Sequence, residues 1–306
     1  MLARLLRRAI LSQMVLGAAL GCLLSWFANA PVWTALLLAL LLPVLTNKLI
    51  ILYSTIKSKA ASEPLGAWLK SMIGEMQSSF WIFLMRQPWT SGAPGVLAST
   101  AGKPRVPVVL VHGYVCNHRV WDTMARTLRA QGHSVIAVDL EPLFTSIDKY
   151  APAIESAVTA LCRRTGATQV ALMGHSMGGL AIRAWMRKHG SARVARVLTL
   201  GTPHVGTQIA PKTRTPNGQQ MAWQSLWLAE LAASESIEVR GLMRIALTPQ
   251  DNIVYPQRVQ FLPDVPATVF EGIGHLQMCR SAAVMQWVHQ QLAGLEAPTE
   301  RAAAIT

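Results

Sequence analysis

A chain of 306 residues, 51% hydrophobic and only 14% charged, is more apolar than soluble domains, in which charged residues make up about 25%; its length suits one α/β domain plus an attachment and excludes two large domains. The formal charge of +13, from 28 Lys and Arg against 15 Asp and Glu, suits an anionic surface. No aromatic–basic ladder, zinc-ligand cluster or nucleic-acid motif accompanies it, so nucleic acid is set aside in favour of an anionic membrane.

Residues 9–47 contain no Asp, Glu, Lys or Arg. Two apolar stretches, 10–28 and 32–52, are separated by Asn29, Ala30 and Pro31. Each can supply the roughly 20 apolar residues of a spanning helix, and Pro43 can kink the second without ending it. An N-terminal transmembrane hairpin over residues 1–56 is therefore expected. Arg4, Arg7 and Arg8 precede it, Lys57 and Lys59 follow it, and Lys48 is placed to snorkel toward headgroups. The positive-inside rule puts both ends, and the rest of the chain, in the cytoplasm. Two rivals exist. Ala28-Asn29-Ala30 has the form of a signal cleavage site, which would leave a periplasm-facing domain anchored by the second stretch. Leu20-Gly21-Cys22 has a lipoprotein-like form, weakened by the apolar sequence that follows at once.

Residues 57–105 read as an amphipathic segment and linker. Within 65–89, Trp68, Met72, Met76, Phe80, Phe83 and Leu84 recur at near-helical intervals, interrupted by Lys70, Glu75 and Gln77. Such a segment can lie in the membrane interface, cover the following domain, or dock as a plain packing helix. Residues 90–105, rich in Gly, Pro, Ser and Ala, read as a linker.

From residue 106 short β-branched runs alternate with helical patterns. Strands are expected at 106–111, 134–138, 169–173, 194–200, 241–247 and 267–270, and helices at 120–130, 151–164, 177–188 and 280–292. Near-continuous apolar strands between helices imply a mainly parallel sheet covered on both faces. The rhythm breaks at about 207–236, expected to be a small cap insertion: a loop, then a helix over 219–233 carrying Met221, Trp223, Leu226, Trp227 and Leu231. This helix can cover a site mouth or serve as a fixed packing element. Residues 296–306 form a tail. Cys22, Cys116, Cys162 and Cys279 are spaced like neither a Cys-x-x-Cys pair nor a metal site. Four free thiols in a reducing compartment are expected.

The chemistry concentrates in Gly174-His175-Ser176-Met177-Gly178-Gly179, a Gly-x-Ser-x-Gly motif after a strand and before a helix. That context lets glycines build a sharp turn which lifts Ser176 out of the sheet. A serine hydroxyl needs a base and the base an orienting acid. His275 follows the strand at 267–270 and is the candidate base. Asp251 follows the strand at 241–247 and is the candidate acid, with Asp139 as its substitute; Glu141 and Asp148 are less well placed. His175, His204 and His289 lack a comparable position beside an acid. His112-Gly113-Tyr114 follows the first strand. Gly113 allows a close turn, and the N–H groups of Tyr114 and Met177 can form an oxyanion hole, while His112 shapes the loop. Gly174 and Gly178 support the elbow.

In order along the chain, the His112-Gly113 loop, the elbow, Gly201-Thr202-Pro203-His204-Val205-Gly206-Thr207, the Asp251 loop and Gly274-His275 resemble the α/β-hydrolase superfamily, more narrowly bacterial triacylglycerol lipases and esterases. The match covers about 106–292. The resemblance implies an α/β-hydrolase fold lacking the first strands of the full sheet, Ser176 as nucleophile, Asp251 as acid, His275 as base, and Tyr114 and Met177 as oxyanion donors. It implies action on a lipid or acyl ester, while the apolar hairpin and its flanking charges place the expected protein at a bacterial inner membrane. The hairpin departs from secreted lipases, which makes digestion of external fat doubtful. No cofactor and no metal are expected. An acyl-thioesterase, or a non-catalytic membrane interaction protein on a hydrolase scaffold, are the alternative functions.

Overall fold

The computed structural model describes residues 1–90, 92, 95–102, 104–209 and 214–295. The expected tail at 296–306, and parts of the linker and the insertion, lie outside these residues. Three layers are built around a sheet of β1 (Arg105–Val111), β2 (His133–Val138), β3 (Val170–His175), β4 (Val194–Leu200), β5 (Met243–Leu247) and β6 (Ala267–Val269). Their order is β2-β1-β3-β4-β5-β6, and every pairing is parallel. Parallel strands need crossover helices, which cover the sheet on both faces and explain the unbroken apolar runs. On one face α5 (Ala151–Thr165) and α6 (Met177–His189) pack on Val109, Val111 and Leu172; on the other, α4 (Asp122–Ala130) and α10 (Ala282–Leu292) pack on Val108, Leu110 and Met173.

The insertion differs from expectation. In place of one helix over 219–233 there are α7 (Pro216–Gln220) and α8 (Leu226–Ala233), followed by α9 (Ile237–Gly241). The break has a local cause: Ser225 accepts from the Leu228 N–H and caps α8, and Gln224 before it adopts φ 55, outside helical space. Periodicity alone bridged a gap that a serine cap closes. Leu228 and Leu231 are buried toward α6, while the Trp227 indole donates to Asp148 at 2.9 Å.

At the N-terminus α1 (Leu2–Ala28) and α2 (Trp33–Ser58) form an antiparallel hairpin, with Asn29 in the left-handed region as the cap of α1. Both helices are long and apolar enough to cross a membrane; α1 alone is about 40 Å long. They touch closely because Gly17 and Gly21 face the other helix: a Cβ at Gly17 would lie 2.3 Å from the Leu38 carbonyl oxygen, and one at Gly21 2.3 Å from the Ala35 Cα. Two small residues four apart allow such backbone approach. The Thr34 hydroxyl bonds the Pro31 carbonyl at 2.8 Å and the Gly21 carbonyl at 3.3 Å, stitching the closed end. Toward that end Leu16, Leu20, Leu40 and Leu41 are exposed, whereas the opposite end docks on the sheet domain, with Ile51, Ser54, Thr55 and Ser58 buried. Lys48 does not reach outward as expected; its ammonium donates to the Met76 carbonyl at 2.7 Å.

The segment after the hairpin is a docking element. α3 (Leu65–Ser79) buries Trp68, Ser71, Glu75, Ser78 and Ser79 and continues as a π-helical turn, Phe80–Arg86. Gly21→Leu should destabilise the hairpin by about 1–3 kcal/mol, the usual cost of overpacking. Gly66→Leu, with nothing within 4 Å of its Cβ position, should not destabilise. Thermal unfolding of the detergent-solubilised chain separates the two.

Candidate active site

The elbow begins where β3 ends. Ser176 adopts φ 55 and ψ −129, a region sparsely populated by residues with a side chain and costing on the order of 1–3 kcal/mol. The chain holds it there by packing. The Ser176 N–H donates to the Leu200 carbonyl of β4 at 2.8 Å, and α6 starts at the next residue. Gly178 lets α6 press on β1, since a Cβ there would lie 2.1 Å from the Val111 carbonyl oxygen. Gly113 approaches from the end of β1, where a Cβ would meet the Ser176 Cβ at 2.7 Å. Tyr114 and Met177 follow directly, at the end of β1 and the first turn of α6, whose N–H groups have no partner within the helix.

Beyond β5, the Asp251 carboxylate is buried and fully engaged. Its Oδ1 accepts from the Ile253 and Val254 N–H groups at 2.8 and 2.7 Å, and its Oδ2 lies 2.7 Å from His275 Nδ1. This contact assigns the proton of neutral His275 to Nδ1 and leaves Nε2 as a base. Burial lowers the pKa of His275, but the Asp251 charge, its hydrogen bond and the Glu75 charge outweigh it, and the net shift is upward. Ser176 and His275 line one cavity of about 530 Å³, with no hydrogen bond between hydroxyl and ring among the described residues. Such contacts often tighten only when substrate binds.

His112, His175 and His204 have structural partners. His112 bonds the Gly113 carbonyl through Nδ1 at 2.8 Å and accepts the Leu140 N–H at Nε2 at 3.0 Å, which braces the loop. His175 lies behind His275, ring centroids 4.5 Å apart, and donates to the His275 carbonyl at 3.1 Å. Burial, then the neighbouring His275, depress its pKa well below the ordinary value. His204 sits between Thr199 and Arg183. Asp139, the substitute acid, is taken by His118, accepting its N–H at 2.7 Å and lying 3.0 Å from its ring. Asp148 holds Arg187 and Trp227.

A further carboxylate reaches the site from the N-terminal segment. Glu75 of α3 lines the same cavity, and its two oxygens accept the Leu276 and Gln277 N–H groups at 3.0 Å each, pinning the loop that carries His275. Burial, partly offset by His275 and the two N–H groups, pushes its carboxyl up to about 7. The Asp251 loop is held by the same segment. Asn252 donates to Ser54 at 2.8 Å, Gln257 to the Ser58 carbonyl at 3.0 Å, and Gln250 to Glu63 at 3.2 Å. In the sequence Glu75 looks like a polar interruption of an apolar pattern. The usable signal was the 68-71-75-78 spacing, which places it on one face with Trp68, Ser71 and Ser78.

Comparisons with known proteins bear on the fold that carries these residues. Residues 106–241 match the family model described as the alpha/beta hydrolase fold. The chain has an α/β-hydrolase fold and resembles bacterial lipases. It is 34% identical over 124 residues to a triacylglycerol lipase of Burkholderia plantarii, covering 38% of this chain and 34% of that one. A second triacylglycerol lipase, from Pseudarthrobacter phenanthrenivorans, is 34% identical over 122 residues, covering 37% and 38%. The matched part thus spans little more than a third of these relatives. The crystal structure of the Bacillus licheniformis lipase BlEst2 in mature form superposes with a TM-score of 0.56 at 18% identity, covering 66% of this chain and 99% of that one, a likeness of fold.

Because its folded value lies above the ordinary 4.5, the Glu75 contribution to stability is fully present below pH ~4.5 and lost as pH rises through about 7. Glu75→Gln removes that titration. Whatever constant cost the amide adds, the variant's Tm relative to wild type should climb between about pH 5 and pH 8. A flat difference across that window would show that Glu75 titrates ordinarily.

Proposed function

We propose that this chain is a membrane-associated serine carboxylic-ester hydrolase of the lipase and esterase type. The carrying observation is the convergence of a strained Ser176 and a buried Asp251–His275 pair at 2.7 Å on one cavity. In this reading His275 Nε2 takes the Ser176 proton as Oγ attacks the ester carbonyl. The Tyr114 and Met177 N–H groups receive the developing oxyanion. Protonated His275 then delivers its proton to the departing alcohol, leaving an acyl-Ser176 ester. A water deprotonated by His275 releases the acid and restores the serine. Asp251 keeps the imidazole in the required tautomer.

Support for lipid and acyl-ester substrates comes from the lipase relatives and from the apolar hairpin beside the site. The hairpin reads as two spanning helices, with the flanking Arg and Lys residues favouring a cytoplasmic catalytic domain at a bacterial inner membrane.

A fluorophosphonate probe should label the solubilised protein, and Ser176→Ala should abolish labelling. Asp251→Asn should retain the fold and lower kcat on the order of 10⁴-fold, through the wrong imidazole tautomer. Labelling that survives Ser176→Ala would remove the assignment. His275 must be neutral to act as base, and its pKa is raised. Activity should therefore fall as the pH drops, with the acidic limb of kcat/KM centred above the ordinary value of about 6.5. An acidic limb below that value would contradict the assigned base.

A further inference from the structure

The cavity beside Ser176 is walled on its far side by the N-terminal hairpin. Leu6 and Ile10 of α1 and Pro43 and Ile50 of α2 line it together with Phe83 and Leu84, and Ser176 and His275 stand at its catalytic end. Of the insertion at 207–236 only Ile209 contributes among the described residues; α7 and α8 do not. The two helices able to cross a membrane thus supply a large part of the wall that faces Ser176 and His275.

We infer that this cavity is the acyl-chain site of the proposed hydrolase, and that its occupant is the fatty acyl chain of a membrane lipid ester, held between α1 and α2. The inference rests on the hydrolase reading. The chemistry of the walls requires an apolar occupant, and a volume of about 530 Å³ lies within the ~300–1,000 Å³ common to small-molecule sites. Continuity identifies its source. The helices that line the cavity with Leu6, Ile10, Pro43 and Ile50 continue outward as the exposed apolar faces of Leu16, Leu20, Leu40 and Leu41, surfaces that belong in hydrocarbon. An acyl chain moving from bilayer to cavity along the hairpin meets mainly apolar side chains, with Gln13, Thr46 and Asn47 the polar exceptions on the two helices. Arg4, Arg7 and Arg8, at the docked end of α1, lie where anionic headgroups would be. The ester carbonyl at Ser176 is then the boundary between the buried chain and the polar remainder of the lipid.

The test uses the full chain in phospholipid vesicles and a dodecyl fluorophosphonate carrying a diazirine at the end of its alkyl chain. Ser176 Oγ displaces fluoride from phosphorus, its proton passing to His275, and irradiation then fixes the chain end to whatever surrounds it. Cross-links on peptides from α1 and α2 are expected. Cross-links confined to α8 or to other parts of the sheet domain would overturn the acyl site while leaving the hydrolase intact. Absence of any Ser176 adduct would instead overturn the hydrolase reading, and the acyl site with it. A second measurement compares esters of increasing acyl length, for which kcat/KM should rise by roughly fourfold per buried methylene until the cavity is full. Ile10→Trp and Ile50→Trp should each lower the ratio of long-chain to short-chain kcat/KM by about tenfold or more, equivalent to removing two buried methylenes. Leu16→Trp, outside the cavity, should leave the ratio unchanged. An unaltered ratio in both filled variants would overturn the inference.

Discussion

The backbone at Ser176 is the constraint on which the site depends. A serine at φ 55 and ψ −129 is held against its own preference, so neighbouring elements must over-determine it. β4 supplies the Leu200 carbonyl, α6 begins immediately, and the end of β1 closes to a separation only Gly113 permits. The parallel sheet is the device that brings these three ends together. Its central strands are β1, β3 and β4, and the loops following them converge on the same edge, as in open α/β sheets generally.

The N-terminal segment completes what the sheet begins. Loops after β5 and β6 are long and carry the Asp251–His275 pair, so their position cannot come from ladder hydrogen bonds alone. Ser54, Ser58 and Glu63 hold the first loop and Glu75 holds the second. The hairpin with its following helix is thus a structural component of the site as well as an apolar element suited to a bilayer. A carboxyl held up to about 7 in a helix facing a histidine links the charge state of that helix to the site's electrostatics.

Much of this was legible in the sequence. The strand beginning at Val194 ends at Leu200 as expected, and the other strands agree within about two residues; for all but the exposed edge strand β6, mostly buried parallel strands write apolar runs. The Gly174–Gly178 elbow carried its own context, and the order of Ser176, Asp251 and His275 selected the pair that the structure brings together. The local spacing could put Glu75 on the buried face of its helix but could not make it legible as a site residue, since its partners lie 201 and 202 positions away. The division of α7 from α8 escaped periodicity because Ser225, a short polar residue between Gln224 and the apolar Leu226, acts through a cap. Lys48 was read from its own neighbourhood, whereas a carbonyl of another helix decides its position.

The contacts that tie Ser54 to Asn252 and Glu75 to Leu276 join positions 198 and 201 residues apart. During synthesis the chain emerges from its N-terminus at about 5–20 residues per second, so the hairpin exists for some time before the loops it must hold. The strained serine, too, is made well before the histidine. The cluster can close only after nearly the whole sheet has left the ribosome. The arrangement of Ser176, Asp251 and His275 is therefore a late product of folding, completed only when the two ends of the chain meet.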